Sequence, residues 1–444
     1  MTAPAGRPAA AVGPAGLDTG GFADIARRAA AGRDDLVRRG HAPDGARRLR
    51  RFSAWEVARF LLDMPLPALR RALAADPALP QGVAETAHGA RWFTLDEVLT
   101  LRARLAAGAG APAPGRPPGT AAKTLAVANF KGGVGKTSTA AHLAMAAALD
   151  GYRVLVIDLD SQGSMTSLMG GRVTDEWQTA FALIARDFAR EISAGGAALD
   201  ETLARARATE PGDVIQPTHW PNIDLIGAEL NLYWAEFQIP VWRMQHRRWP
   251  LWDALGRFLE AEGLTEAYDL ILIDTPPALG YLTINALAAA DILLVPLGAS
   301  FLEFDSTGRF FDMLHATFAS IEEGENAANR ALSLPETRFE WDAVRTLITR
   351  YDPAQQAEMA ALIRSWFGDT MARAAQDYTA LVGQAGESVS ALYEADYRDF
   401  NRETYLRGRE TFDRTWAEMH DLIRAAWAAD RARTAATEAA DGPA

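Results

Sequence analysis

The chain of 444 residues contains no cysteine and only three lysines, Lys123, Lys131 and Lys136. The first absence excludes disulfides and cysteine-held iron–sulfur clusters, and it suits a reducing cytoplasm. The second leaves arginine to supply nearly all positive charge. A chain so biased keeps lysine where a compact ammonium is wanted and a planar guanidinium does not fit. No uncharged apolar run approaches membrane-spanning length. The N-terminus has no apolar segment of signal-peptide type, so none is expected. The net charge of −12 gives no hint of nucleic acid by itself, but the charges are unevenly spread.

Two of the lysines stand five residues apart in one glycine-rich string, Phe130-Lys131-Gly132-Gly133-Val134-Gly135-Lys136-Thr137-Ser138. An apolar run over 124–129 precedes it and reads as a buried strand. The Ala- and Leu-rich segment 136–149 follows and reads as a helix. Strand, glycine loop and helix form the context of a phosphate-binding loop. Gly132, Gly133 and Gly135 let successive backbone N–H groups point inward at a polyphosphate, and the helix N-terminus adds partial positive charge. Lys136 is expected on the β- and γ-phosphates of ATP, with the Thr137 hydroxyl on Mg²⁺. The loop residues Lys131, Gly132, Gly133, Val134, Gly135, Lys136, Thr137 and Ser138 are therefore the candidate nucleotide-binding set.

The strict loop pattern wants glycine where this chain has Phe130, and it has Lys131 besides. That string is the deviant Walker A motif, and the chain resembles the ParA/MinD family of ATPases. The resemblance implies that Lys131 crosses a dimer interface to the phosphates held by the other subunit, so that two chains sandwich two ATP molecules. The absence of cysteine sets aside the nitrogenase iron protein and the iron–sulfur carrier ATPases, which share the loop but need clusters.

Further down the chain, 153–160 reads as a strand ending in Asp158 and Asp160, followed by Ser161-Gln162-Gly163. This resembles the family's Asp-x-Asp-Pro-Gln-Gly element with serine in place of proline. The resemblance gives Asp160 the attacking water and sets Asp158 nearer the magnesium shell. A third strand, 268–274, closes on Asp274 before Thr275-Pro276-Pro277. It reads as a Walker B element whose carboxylate holds Mg²⁺ through water. Strands over 291–296 and 343–349 complete the pattern. The resemblance puts Thr349 and Arg350 beside the adenine or ribose, although for Arg350 a plain surface arginine is an equal alternative.

The fold class expected is α/β: a P-loop NTPase with a mostly parallel twisted sheet flanked by helices, preceded by a small, mainly helical winged helix-turn-helix domain. The expected divisions are a disordered arm (1–43), the helix-turn-helix domain (44–106), an Ala/Gly/Pro linker (107–122), the ATPase domain (123–430) and a disordered tail (431–444). Within 44–106, capping-box signatures at Ser53–Glu56 and Thr94–Glu97 open helices. Between them lie a turn at Met64-Pro65-Leu66-Pro67, a basic helix over 68–74 and a wing-like stretch over 81–92. Arg70 and Arg71 are the candidate DNA contacts. The alternative is a helical module that only dimerises or packs on the ATPase. The tryptophans between 170 and 266 read as core or interface packing. Leu392-Tyr393-Glu394 and the helix-like run over 397–423 resemble the tail of RepABC-type plasmid partition proteins.

The resemblance implies a partition ATPase that forms an ATP-dependent homodimer and binds double-stranded DNA, non-specific and operator. Slow hydrolysis would be stimulated by a ParB/RepB-type centromere-binding partner, in a cytoplasmic, nucleoid-associated setting with operon autorepression. Two alternatives stand beside it. One is a MinD-like positioning ATPase on a membrane, which would need a basic amphipathic C-terminal helix. Residues 425–444 are instead small with mixed charge, so no membrane is expected. The other is an ATP-sensing transcriptional regulator with no turnover.

Overall fold

The computed structural model describes residues 24–25, 27–29, 31, 47–84, 90–108, 115–196, 198–379 and 391–440. The arm at 1–43 falls mostly outside these residues, as do 384–390 and 441–444. Residues 1–48 form a unit of their own, in which 24–25, 27–29 and 31 are helical. Everything from Leu49 onward forms the second unit.

That unit opens with a small module. Strand β1 (Phe52–Ser53) leads into a helical segment, 54–61, whose N-terminus is closed by the Ser53–Glu56 capping box. A turn follows in which Asp63 takes a left-handed φ of 46°. Helix α1 (Leu66–Ala75) then begins two residues earlier than the sequence pattern indicates, because Pro67 fits the first turn of a helix. Strands β2 (Val83–Ala84) and β3 (Arg91–Phe93) pair antiparallel, β1 pairs with the other edge of β3, and helix α2 (Leu95–Gly108) closes the module.

The main sheet has eight strands: β4 (Lys123–Val127), β5 (Val154–Asp158), β6 (Ile215–Pro217), β7 (Ile223–Ile226), β8 (Leu270–Asp274), β9 (Ile292–Gly298), β10 (Ala343–Tyr351) and β11 (Met371–Asp377). Their order is β11-β10-β9-β4-β8-β5-β7-β6, parallel throughout except for the antiparallel β6 edge. Strands β4, β5, β8 and β9 are buried along their whole length. Continuous apolar runs are what a parallel sheet covered on both faces requires. The covering helices include α3 (Lys136–Leu149), α4 (Ala180–Ala194), α5 (Ala235–Gln245), α6 (Ala254–Ala261), α7 (Tyr281–Ala288), α8 (Phe301–Leu332), α9 (Pro353–Phe367) and α10 (Arg402–Ala440). The chain leaves β4 toward β5 on one side and later returns to β9 on the other. The C-terminal ends around β4 therefore lie at a reversal of strand order, where open α/β sheets bind ligands.

Two features depart from the expected divisions. Helix α10 runs 39 residues to Ala440, well past 430, and Asp430 near its end is ion-paired to Lys123 at 2.9 Å. The small N-terminal module also shares one apolar core with the ATPase, in which Phe52, Leu69, Phe93 and Leu101 join Tyr405, Phe412 and Trp416 of α10. Arg102 of α2 donates to the carbonyls of Leu61 and Leu149. Arg409 of α10 lies over the Phe60 ring, and Arg402 over Trp55. Whatever else the module does, it packs on the ATPase.

The tryptophan-rich region is mostly core. Trp177, Trp220, Trp242, Trp249 and Trp252 are buried, whereas Trp234 is 66% exposed. Trp249 donates to Asp187, which also pairs with Arg257, so the insertion is pinned by a partly buried charge pair as well as by rings. Tyr393 and Glu394 are pins too. The Tyr393 hydroxyl donates to Asp413 of α10 at 2.8 Å, and Glu394 accepts from Trp220 Nε1 at 3.0 Å.

Candidate nucleotide site

The loop between β4 and α3 takes the shape its glycines permit. Gly133 (φ 76°) and Gly135 (φ 85°) both sit in the left-handed region, where an L side chain is strained. The loop is fixed at its start by Asn129. Its side chain accepts from the Lys131 N–H at 3.1 Å and donates to the Pro296 carbonyl at 2.9 Å. Phe130, the departure from the usual glycine, packs on Phe310 of α8 with ring centroids 5.8 Å apart. The first N–H groups of α3 have no intrahelical acceptor and face the loop's concavity.

Lys136 is buried, and its ammonium donates to the Lys131 carbonyl at 3.2 Å. Burial lowers its pKa, opposed by the carboxylates of Asp274 and Asp160. Thr137 and Ser138 are half-buried on the first turn of α3. Lys131 differs from Lys136 in standing on the rim, its side chain 35% exposed and 3.6 Å from Glu303.

Strands β5 and β8 set Asp158 and Asp274 side by side in register. Asp158 is committed to its own loop: it accepts from Asp160 N at 3.1 Å and from the Thr166 N–H and hydroxyl at 2.8 and 2.7 Å. Its burial pushes the carboxyl up to about 7 in spite of these bonds. The geometry gives Asp158 the placing of Asp160 as its visible work. Asp160 is half-buried on a turn where Gly163 N donates to its carbonyl at 2.8 Å, and Ser161 is accommodated there in place of proline.

Asp274 is wholly buried, and neither of its carboxylate oxygens has a hydrogen-bond partner of good geometry. Burial first, then repulsion from Asp158, raises its pKa well above the ordinary range, while Thr137 and Lys136 pull the other way. A carboxylate left unsatisfied in such a place is the site's clearest sign that a cation belongs there. Among the described residues no group of three or more His, Cys, Asp or Glu could hold a metal ion. The donor set instead fits Mg²⁺ held by Thr137, by Asp274 and by the nucleotide's own phosphates.

Strand β10 supplies the far wall. Thr349 Oγ1 donates to the Val134 carbonyl at 2.8 Å, and Arg350 Nη1 donates to the Gly133 carbonyl at 2.7 Å. Arg350 adopts a left-handed φ of 51°, unusual for a side-chain-bearing residue. Both residues thus bond the phosphate loop, Arg350 doing so from the surface with its side chain 54% exposed.

A family model described as an AAA domain matches residues 122–326. A protein designated replication protein A from Sinorhizobium fredii is 32% identical over 396 residues, covering 87% of this chain and 89% of that protein. The chain belongs to the ParA/MinD family of ATPases. The chromosome partitioning protein ParA of Caulobacter vibrioides is 29% identical over 293 residues, 66% of this chain and 94% of its own. A solved structure named Partition Protein shares the fold, with a TM-score of 0.58 at 21% identity, covering 92% of this chain and 98% of that one.

Of the residues expected at the nucleotide of this ParA/MinD-family chain, Thr349 and Arg350 bond the loop, Asp160 and Asp274 act on the Lys136 charge, and Asp158 lies in register with Asp274. Arg70 and Arg71 are far from it in role, exposed on α1. Sequence reading missed Glu303 and His142. Glu303 lies in a Ser300-to-Glu303 capping pattern, a signal that could have marked it. His142, buried on the face of α3 behind the loop, donates from Nδ1 to the Ser138 carbonyl at 2.6 Å and accepts from Leu392 N at 3.2 Å.

Proposed function

We propose that this ParA/MinD-family ATPase works as a DNA partition switch: ATP binding assembles a homodimer, and the dimer binds double-stranded DNA. The observation that carries the reading is the contrast between the two loop lysines. Lys136 is buried in its own site, whereas Lys131 stands half-exposed on the rim, and this contrast supports a role for Lys131 at a nucleotide outside its own chain. A positive charge supplied in trans makes the dimer depend on the γ-phosphate. A dimer doubles the phosphate contacts made to DNA, and affinity compounds steeply with each added contact.

In this reading Asp160 orients the water that attacks the γ-phosphate, Lys136 holds the phosphates, and Thr137 and Asp274 would hold the cation. When bound, Mg²⁺ would supply positive charge to offset that of the phosphates. Turnover is slow until a ParB/RepB-type centromere-binding protein stimulates it and releases the DNA. The N-terminal module has the order of a winged helix-turn-helix: helix, turn, basic helix, antiparallel wing, helix. Its exposed Arg70 and Arg71 suit operator binding and autorepression. No helix among the described residues is long and apolar enough to cross a membrane.

The test is fluorescence anisotropy of a long random-sequence duplex titrated without nucleotide, with ADP, and with Mg²⁺–ATP. Binding that appears only with ATP and weakens steeply with salt supports the switch. Equal binding in all three states would leave the N-terminal module acting alone as a regulator, and no binding in any state would turn attention to a membrane surface.

A further inference from the structure

Glu303 lies in the first turn of α8, where its N–H donates to Ser300 Oγ at 3.3 Å. Its carboxylate turns back over the end of β9 and accepts from the Gly298 N–H. The approach is so close that a Cβ on residue 298 would stand 2.5 Å from Glu303 Oε2, so a side chain there would push the carboxylate aside. Held in this way, and only 8% exposed, the same carboxylate faces two cations. Lys131 Nζ is 3.6 Å away and Arg350 Nη2 3.3 Å away. Arg350 is in turn bonded to the Gly133 carbonyl, so one carboxylate ties the rim lysine to the loop that lysine belongs to.

We propose that Glu303 is the counter-ion that parks Lys131 over its own loop in the nucleotide-free chain and must release it before it can reach a partner's phosphates. This rests on the trans role of Lys131 given above. The exchange is physically balanced. Lys131 leaves one carboxylate for a polyphosphate of higher charge, and Arg350 stays on Glu303, so no buried charge is stranded when the lysine departs. A parked lysine also keeps the monomer from offering an unpaired cation to stray anions. Glu303 touches no nucleotide in this scheme. It is a positioning residue that sets how much ATP is needed to make a dimer.

The scarcity of lysine makes the test direct. The full chain grown with ¹³C,¹⁵N-lysine gives side-chain NMR signals from three residues, with that of Lys131 assigned by its loss in Lys131→Ala. Glu303→Gln keeps an acceptor for Gly298 and removes the charge. The expected result is that the Lys131 signal moves in the nucleotide-free variant while that of Lys123 does not, and that ATP brings wild type and variant together. The ATP concentration giving half-maximal dimer by light scattering should fall about threefold to tenfold, the range of a partly exposed ion pair. Glu303→Asp, which keeps the charge but draws it back by one methylene, should give a smaller shift in the same direction and serves if the glutamine variant folds poorly. A Lys131 signal unmoved in both variants, or an unchanged ATP midpoint, overturns the proposal. If Lys131→Ala still dimerises normally on ATP, it is the trans reading that fails. If Lys131→Ala abolishes the dimer while the Glu303 variants shift nothing, only the parking role fails.

Discussion

The ammonium of Lys136 donates to the backbone carbonyl of Lys131 across 3.2 Å, so the loop closes on itself through two of the chain's three lysines. The phosphates of ATP would take over this bond. Burial disfavours the charged form of Lys136 and lowers its pKa, and Asp274 and Asp160 offset this only in part, so a poorly solvated ammonium gains from a bound polyanion. Lys136→Ala should therefore weaken ATP binding at least about 100-fold, or roughly 2.7 kcal/mol. Equilibrium binding of a fluorescent ATP analogue measures this. A loss below tenfold would mean that the backbone N–H groups alone carry the phosphates.

Asp274 supports a prediction of opposite sign for stability and function. Its buried carboxylate has no bonded partner and faces Asp158 on the adjacent strand. Asn at this position removes the repulsion and can donate to Asp158. Asp274→Asn should raise the stability of the nucleotide-free protein by on the order of 1–3 kcal/mol while abolishing magnesium-dependent ATP turnover. Thermal denaturation with EDTA, paired with a phosphate-release assay, checks both halves. An unchanged or lower melting temperature would show that the carboxylate is satisfied by a group other than a cation.

How much of this was legible from sequence depends on range. The β4–loop–α3 unit could be read because its signals are contiguous: an apolar strand, glycines at the two left-handed positions, a lysine and then a helix. The ends of β5 and β8 were legible for the same reason, each an apolar run closing on a carboxylate. What could not be read are relationships set by register. Nothing local says that Asp158 would be committed to Thr166, or that Glu303 would meet both Lys131 and Arg350. The edge strands β6 and β11 and the four-residue β7 beside β6 were also missed, because none of them carries a long apolar run or a clean alternation of its own. The sequence pattern ends helix α10 near 423, well short of its true end. Its last turns are mostly exposed, and their composition of small and charged residues imitates a disordered tail.

His142 gives a pH prediction that is independent of the nucleotide. It is buried on α3 behind the loop, stacked on Phe412 of α10 with centroids 3.8 Å apart, and burial lowers its pKa to about 4. The unfolded chain takes up a proton near pH 6.5, whereas the folded chain resists until about pH 4. Across that window the unfolded state binds more protons, so stability falls as pH falls from 6.5 toward 4 and is fully present above 6.5. The contribution at stake is roughly 3 kcal/mol. Chemical denaturation at a series of pH values, for wild type and His142→Gln, would show the slope in the former and its flattening in the latter. Equal slopes would assign the acid sensitivity to other groups.

The N-terminal module yields the last prediction, and its geometry shapes the design. Because Phe52, Leu69 and Leu101 share a core with α10, deleting the module would expose apolar surface and disturb the ATPase, so point substitutions are required. Arg70 and Arg71 are exposed on α1, the second helix of the helix–turn–helix order. If this helix meets DNA, replacing both with alanine should weaken operator binding about tenfold or more. The slope of log affinity against log salt should fall by about 2, one for each phosphate that an arginine neutralises. ATP turnover without DNA should be unaffected, since neither side chain lies at the nucleotide crevice. Anisotropy on the promoter fragment of the chain's own operon, run beside random duplex, separates the two surfaces. Weakening on the operator alone assigns α1 to recognition. Equal weakening on both duplexes would make α1 part of the non-specific DNA track, and unchanged binding to either would leave the module with the packing role already visible against α10.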